Sequence, residues 1–414
     1  MSPVDSSVPL WSIAREVRRV VEPRALGEQV IHYSIPSVDA TGGGLVEDSS
    51  TIQSAKFHLF GDELLVSKLN PRKTRVVEVQ SHELPAVGST EFVSLVPWGC
   101  DRRFLGYLLK SETTRQELDS RVQSVTRSHQ RVSPEEVLRL SVKLPPRDDQ
   151  RRITDFLDAE VARIDALVAA KKRASDLIDE RRVALTSKLC LRGVREYPAV
   201  KDSEIGPLGT VPSHWSVVRN KNLIREVSDL SVDGFEELLT VSHLTGVTPR
   251  SEKNVYMFMA ESMAGYKKCQ SGDLVINTLW AWMGALGFSK YDGIVSPAYG
   301  VYRFTSDGLL SDYFDLLYRT PEYVCEMTRY SKGVWSSRLR LYPESFLALG
   351  VPVPPLDEQK EIVRTLEEEL EPERRLQEKI RQSNSLLLER RQALITAAVT
   401  GQIDVTTARG ADVS

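Results

Sequence analysis

The sequence has little cysteine and histidine, and neither is placed to build a metal centre. Its 414 residues include four cysteines that stand far apart without a Cys-x-x-Cys pair, and six histidines that do not cluster. Zinc sites and the disulfide frameworks of small secreted domains need paired or closely spaced ligands. We therefore expect no metal site, no disulfide framework and a cytoplasmic location.

Long apolar runs and catalytic motifs are missing too. No segment approaches the roughly 18 apolar residues of a membrane-spanning helix, and no basic-plus-apolar signal opens the chain. There is no Walker A sequence and no Asn-Pro-Pro-Tyr-like loop of an adenine methyltransferase, and no Ser/His/Asp or Cys/His spacing recommends a nucleophile. The sequence predicts no membrane contact and a chain that is not itself an enzyme.

An excess of basic charge is also absent. The formal net charge is −3, whereas proteins that neutralise nucleic-acid phosphates usually carry a basic surface. Any basic surface on this chain must therefore be local.

The chain does contain a tandem duplication. The phrase Pro-Pro-x-Asp-acid-Gln-basic-x-Ile occurs in residues 144–153 and again in residues 353–362, with 359 − 150 = 209 positions between its glutamines. The same offset relates Glu-Arg-Arg-x-Ala-Leu in residues 180–185 to its second copy in residues 389–394. A repeat of this length predicts two copies of one structural unit. The markers of the repeat at the helix starts are Pro146, Gln150, Pro355 and Gln359.

Each half contains a mixed segment followed by a charged segment of helical period. The predicted boundaries are a first mixed domain at 1–146, a helix at 147–195, a second mixed domain at 196–355, a helix at 356–403 and a flexible tail at 404–414. Strands are predicted at 30–35, 63–69, 75–79 and 91–96, then at 237–244, 273–279 and 298–304. Helices are predicted at 103–122, capped by Asp101, and near 313–330, capped from Ser311.

The charged segments carry apolar residues at seven-residue spacing, which is typical of long coiled-coil helices. The fold class expected is α+β: two tandem α/β domains separated by two long helices that form an antiparallel coiled coil with pseudo-two-fold symmetry. Pro372 lies inside the second helix, and we expect it to kink or split that helix.

Two loops in each half carry polar and aromatic side chains suited to DNA. They are loop A1 (residues 67–75) and loop B1 (127–131), then loop A2 (277–284) and loop B2 (329–340). Such side chains neutralise phosphates and hydrogen-bond to base edges. The candidate DNA-binding residues are Lys68, Asn70, Arg72, Lys73, Arg75, Arg127, His129, Gln130, Arg131, Asn277, Trp280, Trp282, Lys332, Trp335, Ser336, Arg338 and Arg340. A solvated turn is the plainer interpretation of each basic loop, and we expect at least one of the two tryptophans of loop A2 to be buried.

Taken in order, these phrases resemble the DNA-specificity (S) subunit of type I restriction–modification systems. The resemblance rests on the two Pro-Pro-x-x-x-Gln-x-x-Ile phrases, the two Glu-Arg-Arg-x-Ala-Leu helix ends, the Val-Thr-Gly-Gln-Ile of residues 399–403 and the entry phrase of residues 205–215. It covers nearly the whole chain.

The resemblance implies that each mixed domain is a target-recognition domain for one half of a bipartite double-stranded DNA target. It implies that the helices set the gap between the halves and dock two methyltransferase (modification) subunits, and that restriction (translocase-nuclease) subunits complete the complex. S-adenosylmethionine, ATP and Mg²⁺ would then belong to those partners, with no cofactor in this chain. The alternatives are a specificity subunit of a related multi-subunit restriction system and a coiled-coil adaptor that binds no DNA.

Overall fold

The chain divides into two compact units that each combine one mixed domain with parts of both long helices. The computed structural model describes residues 7–122, 130–252, 262–333 and 339–405. Unit 1 comprises Met1–Lys172 and Arg381–Ser414, and unit 2 comprises Arg173–Ile380. Each unit therefore takes one end of each long helix.

Unit 1 contains a four-stranded antiparallel sheet and a five-stranded mixed sheet. In spatial order, the first holds Ala14–Glu16, Phe92–Pro97, Leu64–Ser67 and Val76–Glu78. The second holds Val20–Val21, Lys56–Leu59, Ala86–Gly88, Gln29–Tyr33 and Leu45–Asp48. A short ribbon pairs Ser7–Pro9 with Ser141–Lys143. The strands predicted in this half are confirmed, but several short strands were missed, including Lys56–Leu59 and Ala86–Gly88 in the interior of the five-stranded sheet.

The single helix predicted at 103–122 is wrong, because two helices occupy this stretch. Arg102–Lys110 is capped by Asp101, whose side chain accepts from the Phe104 N–H, and Glu112–Ser120 follows. Between them Ser111 is extended, with φ −66° and ψ 152°, and its hydroxyl accepts from Thr114 N–H. A buried serine cap therefore ends one helix and starts the next. The remaining helices of the mixed domain are Ile35–Thr41 and Pro134–Leu138, with 3-10 turns at Leu10–Ser12, Pro23–Leu26, Ser49–Thr51 and Pro71–Lys73.

Unit 2 repeats the four-stranded antiparallel sheet and replaces the five-stranded sheet with two-stranded ribbons. The sheet holds Ile224–Glu226, Gly300–Phe304, Leu274–Ile276 and Leu286–Phe288 in spatial order. The ribbons pair Val200–Asp202 with Thr210–Pro212, Ser216–Arg219 with Gly350–Val353, Leu239–Ser242 with Gly246–Pro249, and Lys267–Cys269 with Gly293–Val295. The strands predicted in this half are confirmed.

The helix predicted near 313–330 is also two helices, Ser311–Tyr318 and Pro321–Arg329. Thr320 caps the second of them, as Ser111 does 209 positions earlier. The cap predicted at Ser311 is wrong: Leu310 occupies the cap position, and its N–H donates to Gln359 instead. Pro343–Ala348 follows, and the 3-10 turns are Gly206–Leu208, Asn220–Asn222, Arg250–Glu252 and Ala281–Met283.

The first long helix is Arg147–Arg192 and the second is Leu356–Val399. In unit 1, Asp165 of the first long helix pairs with Arg391 of the second at 3.0 Å, while Leu157 and Ile395 share the core. In unit 2, Arg181 of the first helix pairs with Glu369 of the second at 3.6 Å, while Leu189 shares the core with Ile362. Within each unit the residue numbers of the contacts rise along the first helix and fall along the second, so the two helices pair antiparallel.

The start of each long helix also packs on its mixed domain. Leu157 is buried with Phe104 in unit 1, and Leu366 is buried with Phe314 in unit 2. The apolar positions of their first turns complete the domain cores.

Pro372 does not split the second long helix, which continues through it. Its neighbours on both sides are held: Leu370 is buried in the core of unit 2, and Glu373 forms an ion pair with Arg181. Packing and charge pairing therefore offset the one backbone hydrogen bond that the proline removes. With two mixed domains and two antiparallel helices, the α+β fold class is confirmed.

Candidate nucleic-acid interface

In unit 1 the fold brings loops A1 and B1 side by side. Leu69 and Arg131 form an antiparallel bridge. On either side of it, Asn70 N–H donates to Gln130 O at 2.8 Å and Val132 N–H donates to Lys68 O at 3.0 Å. Two segments that lie about sixty residues apart in the chain thus share one surface.

A single 3-10 turn, Pro71–Lys73, forms the tip of loop A1. Asn70 and Thr74 flank the turn in left-handed conformations, with φ of 49° and 44°. Non-glycine residues adopt such values rarely, and asparagine does so more readily than most. The turn leaves Arg72 and Lys73 exposed, with Arg72 3.6 Å from Asp119.

Arg75 is not available to DNA, contrary to its place among the predicted contacts. Its side chain is 6 % exposed and forms a two-pronged pair with Asp39, in which Nη2 lies 2.8 Å from Oδ2. Its Nη1 also donates to Leu69 O at 3.2 Å. The hydrogen bond from Arg75 lowers the pKa of Asp39. Arg75 therefore supports loop A1 from beneath.

The other predicted contacts of unit 1 occupy intermediate or exposed positions. Arg131 is exposed and 2.9 Å from Glu91, while Lys68 and Asn70 are half-buried. Gln130 is half-buried, and its Oε1 is buried without a hydrogen-bond partner. In the described part of this surface the exposed cations include Lys73, Arg72 and Arg131, the last two each in one weak exposed ion pair, with Asp119 and Glu91.

Loops A2 and B2 of unit 2 are joined in the same way. Leu341 N–H donates to Thr278 O at 2.9 Å, which is the counterpart of the Val132–Lys68 bond. Lys332 and Arg340 exchange two backbone hydrogen bonds of 2.9 Å. Lys332 is exposed, and the guanidinium of Arg340 lies 5.3 Å from the centre of the Tyr342 ring.

The tip of loop A2 is also a 3-10 turn, Ala281–Met283, and it ends at Gly284 with φ 79°. Met283 N–H donates to Trp280 O at 3.0 Å, as Lys73 N–H donates to Asn70 O at 2.9 Å in loop A1. This match aligns the two tips with an offset of 210. Trp280 therefore stands where unit 1 has Asn70, and Trp282 stands where it has Arg72.

Neither tryptophan of loop A2 is buried, so that expectation was wrong. Trp280 is 50 % exposed and Trp282 is half-buried. Both extend from the loop tip and stack on each other instead of entering the core, with ring centres 6.2 Å apart and planes 16° apart. Asn277 is buried; its amide nitrogen lies 3.2 Å from the Tyr299 hydroxyl, so it supports the loop. The predicted contacts Arg127, His129, Trp335, Ser336 and Arg338 lie outside the described residues.

The repeat-marking glutamines make matching bonds at the base of the long helices. Gln150 Oε1 accepts from Asp101 N–H at 2.7 Å, and its Nε2 donates to Pro145 O at 2.7 Å. Gln359 Oε1 accepts from Leu310 N–H at 2.9 Å, and its Nε2 donates to Pro354 O at 2.9 Å. Both side chains are buried. They join each long helix to its domain and contact no open surface.

A second pair of equivalent surfaces lies on the far ends of the long helices. Unit 2 has an open groove of about 740 Å³ beside Glu322, and unit 1 has one of about 420 Å³ beside Glu112. Their lining residues correspond at an offset of 209: Glu180 and Glu389, Val183 and Gln392, Ala184 and Ala393, Ser187 and Thr396. These grooves contain residues of the two Glu-Arg-Arg-x-Ala-Leu phrases, at 180–185 and 389–394, to which the sequence alone assigned no surface.

Exposed leucines are repeated on the same helices. Leu167 and Leu376 correspond at 209 positions, as do Leu177 and Leu386, and all four are exposed. Single exposed apolar residues are ordinary, but a duplicated set on a helix pair is typical of a contact surface. Among the described residues there is no group of three His, Cys, Asp or Glu side chains that could hold a metal ion, and no helix is long and apolar enough to cross a membrane.

Comparison with known proteins supports the fold and the resemblance. A chain from a structure described as the basis of complex assembly and conformational transition of the type I R-M system matches with a TM-score of 0.66 and 17 % identity, covering 97 % of this chain and 99 % of that one. A Methanocaldococcus jannaschii protein named as the specificity subunit of the type I restriction enzyme MjaX is 23 % identical over 199 residues. The resemblance to type I specificity subunits is confirmed.

The matched stretch covers 45 % of this chain and 43 % of the M. jannaschii specificity subunit, so the chain matches less than half of that relative. The HsdS subunit from Thermoanaerobacter tengcongensis matches with a TM-score of 0.43 at 17 % identity, covering 97 % of this chain and 98 % of that one. No family model matches the chain. The specificity-subunit fold here consists of the two domains and paired helices described above.

Proposed function

We propose that the chain is the non-catalytic DNA-specificity subunit of a type I restriction–modification complex, in which each unit recognises one half of a bipartite target. One observation carries this proposal: loops A1 and A2 share a 3-10 turn with matching backbone hydrogen bonds but carry different side chains at their tips. Asn70 and Arg72 in unit 1 are replaced by Trp280 and Trp282 in unit 2. A repeated loop with divergent side chains suits two sites that bind the same kind of ligand with different sequence preference.

The ligand of these loops is double-stranded DNA. Arg72, Lys73 and Arg131 provide local positive charge on a chain whose formal net charge is −3. Log affinity falls as log salt concentration rises, and each phosphate contact makes this negative slope steeper by about 0.9. A few such contacts per unit suit a subunit whose partners supply the rest of the phosphate contacts.

The helix surfaces support a complex with two copies of one partner. The paired grooves and the paired exposed leucines give each unit the same docking features. We assign them to two methyltransferase subunits, which would carry S-adenosylmethionine and methylate adenine. Restriction subunits would then supply ATP- and Mg²⁺-dependent translocation and cleavage.

Methylome sequencing tests the proposal. Cells that express the chain with its partner subunits should show adenine methylation at a two-part sequence, and cells without the chain should lack it. Arg72→Ala with Lys73→Ala should relax one half of that sequence only. Loss of both halves to the same extent would contradict the assignment of one half to each unit.

Purified complex separates the proposal from a coiled-coil adaptor. A specificity subunit should bind an unmethylated duplex that carries the sequence identified by methylome sequencing. Its affinity should fall steeply as the salt concentration rises. An assembly that forms with its partners but shows no salt-dependent DNA affinity would favour the adaptor.

A further inference from the structure

Loop A2 presents an aromatic ring to solvent where its counterpart in unit 1 presents an amide. Trp280 is 50 % exposed, and the neighbouring Leu279 is exposed as well. Tryptophan is usually largely buried, because its ring carries a large apolar area. Trp11 and Trp98 are more exposed still, but Trp280 is the one that lies on the candidate DNA surface, where its open face is available to a ligand.

The exposed ring is fixed in place. Trp282 lies against it, and the Trp282 Nε1–H donates to Leu279 O at 3.1 Å. Trp280 N–H donates to Asn277 O at 2.9 Å, and Asn277 is itself buried. An aromatic residue held by its neighbours loses little side-chain entropy on binding, which favours a role as a contact platform.

The chemistry of an indole face matches a nucleobase. Aromatic side chains stack on bases irrespective of sequence because every base has a π-face. In an intact duplex both faces of a base are already stacked, so a flat ring reaches a base only where the stack is opened. Lys332 and Arg340 lie on loop B2, which is joined to loop A2 by the hydrogen bond from Leu341 N–H to Thr278 O, and their positive charge suits the backbone of such a strand.

We infer that Trp280 stacks on an unstacked base in the half-site recognised by unit 2, with Trp282 as the residue that positions it. This inference rests on the proposed function and adds a mode of recognition to it. Unit 1 has Asn70 and Arg72 at the equivalent positions, so its loop tip recognises DNA by hydrogen bonds and charge. The two half-sites are thus read by different chemistry.

Photocrosslinking tests this stacking directly. The full chain, assembled with its methyltransferase partners, is bound to the duplex target found by methylome sequencing. 5-iodouracil or 5-iodocytosine replaces one pyrimidine at a time, on either strand of both half-sites. Crosslinked residues are then identified by mass spectrometry.

A crosslink to Trp280 is expected at one or two adjacent positions in the half-site of unit 2. Trp280→Phe should retain the crosslink, whereas Trp280→Ala should lose it and weaken target binding about ten-fold, as expected for loss of one base–aromatic stack. Trp282→Ala should reduce crosslinking to Trp280 without forming a crosslink at position 282. The slope of affinity against salt should stay unchanged in all three variants.

Matched variants in unit 1 provide the control. Asn70→Ala should leave the Trp280 crosslink intact, and Arg72→Ala should reduce the salt slope by about one. If the complex binds its target specifically but Trp280 crosslinks at no position, the stacking inference fails and the proposed function stands. If Trp280→Ala instead prevents assembly with the methyltransferase, the ring contacts protein and the inference fails. If the complex does not prefer the target over a scrambled duplex, the proposed function fails and the inference with it.

Discussion

The carboxylate of Asp315 lies directly over Gly287. A Cβ atom at Gly287 would be 3.1 Å from Asp315 Oδ1, which accepts a hydrogen bond from the Phe288 N–H at 2.9 Å. In unit 1 a Cβ atom at Gly106 would lie 3.0 Å from Glu78 Oε1. Gly106 and Asp315 correspond at an offset of 209, whereas Glu78 corresponds to Phe288 at the offset of 210 that relates these strands, because Leu64 pairs with Glu78 as Leu274 pairs with Phe288. In each unit a carboxylate therefore lies between this strand and the helix beside it, supplied by the strand in unit 1 and by the helix in unit 2.

This contact predicts compensation between two substitutions in unit 2. Gly287→Glu alone should destabilise unit 2 because it places two carboxylates together, and Asp315→Gly alone should destabilise it through a helical glycine and a lost bond to Phe288. In the double variant the carboxylate added at position 287 no longer meets that of Asp315. We expect the double variant to be more stable than the sum of the single effects by about 0.5–3 kcal/mol.

Urea unfolding of the four proteins measures this coupling. Hydrogen exchange at residues 286–288 identifies the transition of unit 2. Gly308→Ala, at an exposed glycine with no atom within 4 Å of an added Cβ, combined with Asp315→Gly, provides the control pair. Additivity of Gly287→Glu and Asp315→Gly within about 0.5 kcal/mol would show that the two positions do not compensate for each other.

The sequence predicted the parts of the fold that local patterns determine. β-Branched and apolar runs identified the strands of both four-stranded sheets except Ala14–Glu16, Ile224–Glu226 and Leu286–Phe288, and the repeated phrase with Gln150 and Gln359 located both helix starts. The break at Ser111 and Thr320 was missed, although both are good capping residues, because the apolar period continues on either side of them. A capping residue within a helical pattern is recognised only in the structure, where its side chain accepts a hydrogen bond from a backbone N–H group.

The candidate surface was predicted less well, because burial of a charged residue depends on partners distant in sequence. Arg75 and Arg72 stand in the same basic loop, but Asp39 binds only Arg75. Trp280 and Trp282 stack on each other, which alternation along a strand does not predict. The pairing of loops A1 and B1 was likewise visible only in the fold.

The buried bonds of Gln359 predict a large local effect. Gln359→Ala should leave Leu310 N–H and Pro354 O without partners, at a cost of about 1–3 kcal/mol for each buried group. Amide hydrogen exchange should accelerate at residue 310 and in the first turn of the second long helix. Exchange in unit 1 serves as the internal control, and Gln150→Ala should show the converse pattern at residue 101. Equal acceleration in both units would contradict a local role for each glutamine.

Arg75 and Arg72 should respond differently to substitution. Arg75→Ala removes charge-assisted bonds to Asp39 and should lower the free energy of unfolding by about 1.5–3 kcal/mol, with a lower melting temperature. Arg72→Ala removes one exposed contact and should change stability by less than about 0.5 kcal/mol while weakening DNA binding. The measurement is thermal unfolding alongside DNA titration. An Arg75→Ala protein with unchanged stability and weakened DNA binding would show that Arg75 contacts DNA after all.

The environment of Glu358 predicts a loss of stability in acid. Burial alone would raise the pKa of Glu358, but hydrogen bonds from Trp215, Tyr197 and His214 outweigh it and lower the pKa below the ordinary value of 4.5. The folded state thus binds a proton less tightly than the unfolded state. The stabilisation is present above pH 4.5 and should be lost as the pH falls through the lower folded value.

Urea unfolding of unit 2 at a series of acidic pH values measures this dependence. Glu358→Gln should flatten it, whereas Glu361→Gln serves as the control, because the half-buried Glu361 pairs with the exposed Arg195 and accepts none of the hydrogen bonds that Glu358 accepts from Tyr197, His214 and Trp215. An identical acid dependence in the wild type and in Glu358→Gln would assign the effect to other groups.

The paired grooves predict separate blocking of two partner copies. Ala184 lines the groove of unit 2 and Ala393 lines that of unit 1. Tryptophan at either position should fill one groove, so each single variant should bind one methyltransferase subunit and the double variant none. Mass measurement of the assembled complex by light scattering or native mass spectrometry distinguishes complexes with two, one and no partner copies. Alanine substitution of the exposed Leu388 tests whether any change on these helices has the same effect. Two bound copies in both single variants, with the fold intact, would place the docking surface elsewhere on the helices.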